Sequence, residues 1–159
     1  MIMKQSFKTG FGFGLTSGII TTLGLIVGLH AGTHSKMVVL GGILVIAIAD
    51  AFSDALGIHV AEESDRNQSK KQVWEVTVST FLSKFLVALT FVIPILFMQL
   101  SVAIMASVLW GLFLIGTLSF YLAKQKGENP KNAILEHLFI AVLVIIVTNS
   151  LGNWVATFN

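Results

Sequence analysis

Two carboxylates, Asp50 and Asp54, stand in a stretch otherwise built from residues such as Val45, Ile46, Ile48, Phe52 and Leu56. A spacing of four puts both on one face of a helix, one turn apart. In hydrocarbon each charged aspartate costs about 2.5 to 3.5 kcal/mol, so the pair needs either a task or a partner. Two tasks suit it: chelating a cation from one side, or sharing a proton. A partner is also at hand, because Lys84 lies ten residues after Trp74, too deep in the next apolar stretch to be a helix-end lysine. An Asp–Lys pair can be purely structural, or the lysine can stand in for a cation when the site is empty. One negative charge remains in both cases.

Other polar residues cluster near the ends of apolar stretches. His59 is followed by Glu62 and Glu63, three and four residues on, so the three can share a face. Imidazole with carboxylates suits a borderline divalent metal, whereas ordinary charges at a solvated helix end are the plainer alternative. Glu136 and His137 open the last apolar stretch and could add ligands, although acids near a helix N-terminus are also favoured by the dipole. His30 and His34, flanking Gly32, read more as interfacial residues than as ligands. Ser17 and Thr21 lie on nearly the same stripe as Gly14 and Gly28, giving the first stretch one small, mildly polar face. That face suits close helix packing, a pore lining or a dimer axis. The five methionines do not cluster, and there is no cysteine, so thioether and thiolate sites are not indicated.

The elements that must position these residues are membrane helices. Hydrophobic residues make up 55% of the 159 and charged ones 11%, more apolar surface than a soluble domain of this size can hide. Punctuation by charge and turn residues gives five spans, roughly 7–29, 37–60, 74–98, 101–123 and 133–158, each long enough to cross about 30 Å of hydrocarbon. The expected fold class is therefore all-α, an integral membrane bundle of five transmembrane helices in a single domain. Thr33, His34, Ser35 and Lys36 follow the first span in place of a cleavage site, so it reads as a true spanning helix. Pro94 is expected to kink the third.

If the spans alternate, Lys4, Lys8, Arg66, Lys70, Lys71, Lys124, Lys126 and Lys131 fall on one side and Lys36 alone on the other. The positive-inside rule then makes the N-terminus cytoplasmic and the C-terminus, at Asn159, extracytoplasmic. Trp74, Trp110, Trp154 and Tyr121 mostly lie near span ends, at headgroup level. The net charge of +2 comes without a basic run, so no nucleic-acid partner is expected. No nucleophile–base or metalloenzyme spacing points to an enzyme, no resident cofactor is implied, and the alternating glycines from Gly10 to Gly14 follow no strand and make no nucleotide fingerprint.

The segment from Gly14 through Ser17, Gly18, Thr21, Thr22 and Gly24 to Gly28 resembles the first helix of the vacuolar iron transporter family. Further similarities follow in order: the run from Ala49 to Gly57 containing Asp50 and Asp54, then Ser79 to Ser83, then Gly111 to Gly116. The resemblance implies a homodimer in a cell or vacuole-like membrane, whose first two helices line a central path. It also implies export of Fe2+ or Mn2+ from the cytoplasm in exchange for protons. There are departures: the family's first-helix aspartate corresponds to Ser17 and the acid at that helix's start to Gly10. The second-helix methionine corresponds to Asp54, a small residue to Asp50, and the glutamate after Leu56 and Gly57 to Ile58. The cytoplasmic metal-binding insertion between spans two and three is absent. The acids have thus moved from span one to span two, which exchanges a soft thioether for hard oxygen.

Two functions follow as expectations. In one, the chain is a secondary transporter of a divalent metal, with Asp50 and Asp54 as ligands or proton carriers, Ser17 and Thr21 as neutral oxygens opposite, and His59, Glu62 and Glu63 as a funnel. In the other it is a non-transporting scaffold or binding subunit in which Asp50 and Lys84 form a structural pair. A pore carboxylate should be open on one side, whereas a structural one should be walled in.

Overall fold

The structure, a computed structural model, describes residues 5–158; Lys4 and Asn159, named above, and two of the five methionines, Met1 and Met3, lie outside the described residues. Its elements are α1 (Gln5–Thr33), α2 (Lys36–Glu63), α3 (Lys70–Thr90), α4 (Val92–Phe97), α5 (Leu100–Lys126) and α6 (Pro130–Ala156). Five of these units are long and apolar enough to cross a membrane, with α3 and α4 together forming one of them, Lys70–Phe97.

Local chemistry sets the ends. Ser35 caps α2 by accepting from the Val38 amide, and Ser69 and Gln72 form a reciprocal capping box at the start of α3. Asn129 caps α6 ahead of Pro130 at its first turn. Gly127 closes α5 at φ 70°, the left-handed conformation that glycine adopts without a Cβ penalty. The α2 helix runs past the apolar span to Glu63, so Glu62 and Glu63 are helical rather than part of the connection.

The break in the third span falls at Phe91, one turn before Pro94, because proline offers no amide to the Thr90 carbonyl and its ring crowds the preceding turn. Beyond the break, Lys36 Nζ reaches across from the start of α2 and donates to the Leu96 and Met98 carbonyls, 3.0 Å each. Those carbonyls at the end of α4 would otherwise lack partners.

α1 is the central helix. Six of its glycines divide between two neighbours, Gly10, Gly14 and Gly18 facing α3 and Gly24, Gly28 and Gly32 facing α6, while Gly12 meets Leu122 of α5. A Cβ on Gly14 would lie 2.2 Å from Ser83 Oγ and 2.5 Å from the Thr80 carbonyl oxygen. The α3 face formed by Ser79, Thr80 and Ser83 is small and hydroxyl-bearing for the same reason: Thr80 Oγ1 donates to the Gly10 carbonyl at 3.2 Å, and Ser83 Oγ turns back to the Ser79 carbonyl at 2.6 Å. On the other side, Gly152 of α6 sits where a Cβ would be 2.3 Å from the Gly28 carbonyl oxygen. The glycine stripe is thus spent on packing within the chain.

Apolar side chains fill the remaining interior. Ile19, Leu23 and Ile26 of α1 pack with Val39 and Ile43 of α2, Phe91 between α3 and α4, Ile95 of α4 and Ile115 of α5. α2 turns a stripe of Ala47, Ala51 and Ala55 inward, and α6 buries only Ala141 and Gly152. Large apolar side chains such as Phe52, Leu56, Phe113 and Phe139 are exposed, as expected of helices whose outer solvent is lipid.

Candidate cation site

Asp50 lies midway along α2, and Asp54 follows one turn later beside the alanine stripe. That stripe lets α2 approach α1 and α3 closely, which brings both carboxylates to the same ammonium. Lys84 Nζ is 2.6 Å from Asp50 Oδ2 and also pairs with Asp54 Oδ2. It donates a further hydrogen bond to Ser17 Oγ at 3.0 Å, while Ser17 Oγ donates to Asp54 Oδ2 at 2.6 Å. Asp54 is therefore held by two donors. Asp50 is held by charge alone, since its Oδ2 contact with Lys84 lacks hydrogen-bond geometry.

The two sides of the site differ in access. The Lys84 side chain is 2% exposed, whereas Asp50 and Asp54 remain 29% and 22% exposed. The ammonium is enclosed, and the carboxylates are paired on one side and open on the other. With both acids ionised and the lysine charged, the cluster keeps one net negative charge. An open carboxylate halfway along an apolar helix cannot face hydrocarbon without large cost; it needs water or protein opposite.

The other expected residues lie apart from this cluster. Thr21 donates to the Ser17 carbonyl of its own helix at 2.9 Å and makes no hydrogen bond to either carboxylate. His59 sits near the end of α2 with Nδ1 2.8 Å from Thr77 Oγ1 and its ring edge-on to Trp74, at the back of an apolar groove between α2 and α3. Glu63 is exposed and Glu62 half-buried. Among the described residues no group of three or more His, Asp or Glu side chains is placed to hold a metal ion. Glu136 is exposed, and His137 Nδ1 is 2.7 Å from Ser119 Oγ. The His30 and His34 rings meet edge-on at 5.3 Å where α1 ends.

Ser17 gained more than the sequence suggested, as the residue that bridges carboxylate and ammonium. Glu75, which no sequence motif singles out, sits near the start of α3 and accepts from Ser6 Oγ at 2.8 Å.

Residues 11–77 match the model of the VIT family. The match spans α1, α2 and the first turns of α3, and so includes Ser17, Asp50 and Asp54. It supports the resemblance to vacuolar iron transporters, and the five apolar helices mark an integral, multi-pass membrane protein. No curated protein and no solved structure matches the chain.

Geometry bears on two of the departures that the resemblance implies. A side chain at position 10 would meet Ser79 Oγ at 2.1 Å and the Val76 carbonyl oxygen at 2.3 Å, so a carboxylate there would force α1 from α3. At position 17 the small hydroxyl lies against Asp54; an aspartate there would set a third carboxylate beside the pair.

Proposed function

We propose that the chain moves a divalent metal cation across the bilayer in exchange for protons. The path passes between α1 and α2 at the height of Asp50, Asp54 and Ser17, with two copies of the chain enclosing it. The observation that carries this reading is the asymmetry of the cluster: acids open on one side, a buried ammonium on the other. Lys84 occupies the place of a cation, and cargo enters by displacing it from the two carboxylates. The ligands present are hard oxygens, which suits Mn2+, Mg2+ or Ca2+ better than a soft metal and keeps Fe2+ among the candidates.

The test is metal uptake into proteoliposomes with internal pH followed at the same time. Uptake should be accompanied by proton movement in the opposite direction. Asp50→Asn and Asp54→Asn should each lower uptake at least tenfold, because a unit-charge contact at 4 Å contributes about 4 kcal/mol at an effective dielectric of 20. Folded variants of both that transport at the parental rate, with the parental pH dependence, would overturn the assignment.

A second reading, a scaffold with a structural ion pair, draws on the same Lys84 contacts and the two hydrogen bonds that hold Asp54. It predicts no metal uptake by the parental protein, and the same assay separates the two.

We also place the lysine-rich end of the bundle in the cytoplasm, in keeping with the positive-inside rule. Reporter fusions after Lys70 and at the C-terminus should then report opposite sides of the membrane. Fusions reporting the same side would refute five alternating spans.

A further inference from the structure

A polar cavity lies away from the carboxylates, where the first turns of α1 meet the last turns of α5. Its volume is about 480 Å³. Gln5 and Lys8 at the start of α1 and Gln125 and Lys126 at the end of α5 line it nearest the end of the bundle, taken as its mouth, and Gly12, Phe13 and Leu122, further along the two helices, form its floor. Charge and apolar wall therefore follow one another along the helix axis, from the end of the bundle inward.

No acidic side chain lines this cavity. Among the described residues neither Lys8 nor Lys126 has a carboxylate within ion-pair distance. The neighbouring Lys124 is otherwise engaged, its ammonium 5.1 Å from the centroid of the Phe120 ring. The hydroxyls of Thr9 and Thr16 donate to the Gln5 and Gly12 carbonyls of their own helix, at 3.2 and 2.8 Å. The donors left for a ligand are two ammonium groups and two side-chain amides, all at the mouth.

We propose that this cavity binds an anionic phospholipid, its phosphate between Lys8 and Lys126 and the start of an acyl chain over Gly12, Phe13 and Leu122. Charge complementarity selects the headgroup, and the apolar floor at membrane depth selects a lipid over a free phosphate. A small anion would use the mouth and leave the floor unfilled. The assignment is independent of the metal reading, since none of these residues belongs to the Asp50, Asp54 and Lys84 cluster.

Native mass spectrometry of the full chain released from detergent micelles tests it, with phosphatidylglycerol, phosphatidylcholine and inorganic phosphate as probes. Phosphatidylglycerol should be retained at least tenfold better than phosphatidylcholine. The double variant Lys8→Gln, Lys126→Gln should abolish that preference. Phe13→Ala, which keeps both cations and trims an exposed side chain, should weaken phosphatidylglycerol retention severalfold. The control pair Lys70→Gln, Lys131→Gln, which removes the same charge elsewhere, should leave it unchanged. Equal retention of the two lipids, an equal loss in the control pair, or displacement of phosphatidylglycerol by millimolar phosphate would each overturn the proposal.

Discussion

Replacing Lys84 with methionine should cost about 3 to 5 kcal/mol of stability, enough to remove most of the protein from the folded fraction, because it strands two carboxylates at mid-span. Thermal unfolding of detergent-purified protein, followed by size-exclusion chromatography, measures this. Removing the stranded charges should reverse the loss stepwise: Lys84→Met with Asp54→Asn recovers part of it, and the triple variant adding Asp50→Asn recovers more. The two acids should also differ on their own. Asp54 accepts from both Ser17 and Lys84, whereas Asp50 has only its contact with Lys84, so Asp54→Asn should destabilise more than Asp50→Asn. A Lys84→Met protein as stable as the parent would remove the ion-pair cluster from the account of the fold.

The next largest effect is steric. Gly14→Leu should destabilise by about 3 kcal/mol, near the upper end of overpacking penalties, since the first added carbon already meets Ser83 Oγ and the Thr80 carbonyl oxygen. Gly57→Ala is the matched control: nothing lies within 4 Å of its added methyl, and alanine is the better helix former by about 1 kcal/mol. Because the obstruction lies within one chain, the loss in Tm should not depend on protein concentration. A Gly14→Leu protein that keeps the parental Tm and only fails to associate would return this face to a dimer axis.

The sequence made some of this legible and hid the rest for identifiable reasons. Five apolar stretches bounded by charge or turn residues mark five crossings, and an aspartate pair with a lysine in the next stretch names the partners of the central ion cluster. That both carboxylates meet one ammonium was not legible, because a spacing of four fixes a face of α2 without saying what it meets. The same gap applied to α1, whose glycine stripe suited a neighbour in the chain as well as one outside it. In lipid the outward faces are as apolar as the inward ones, so periodicity that betrays a buried face in a soluble helix is muted here. The break at Phe91 was displaced by a turn from Pro94, since the lost hydrogen bond is felt at the preceding turn. Lys36 read as a lone extracytoplasmic cation, and its two carbonyl partners lie on a segment sixty residues away.

The contact of α1 with α3 has one further consequence, for sliding. Phe11 and Phe13 alternate with the glycines of α1, and only glycine fits against the α3 backbone. A shift along the axis by one residue, about 1.5 Å, would bring a bulky side chain to a place that tolerates none. The next sterically similar setting is four residues, about 6 Å, away. The two helices are therefore geared like a rack with coarse teeth, and the height of Ser17 beside Lys84 is set by glycines that take no part in the chemistry.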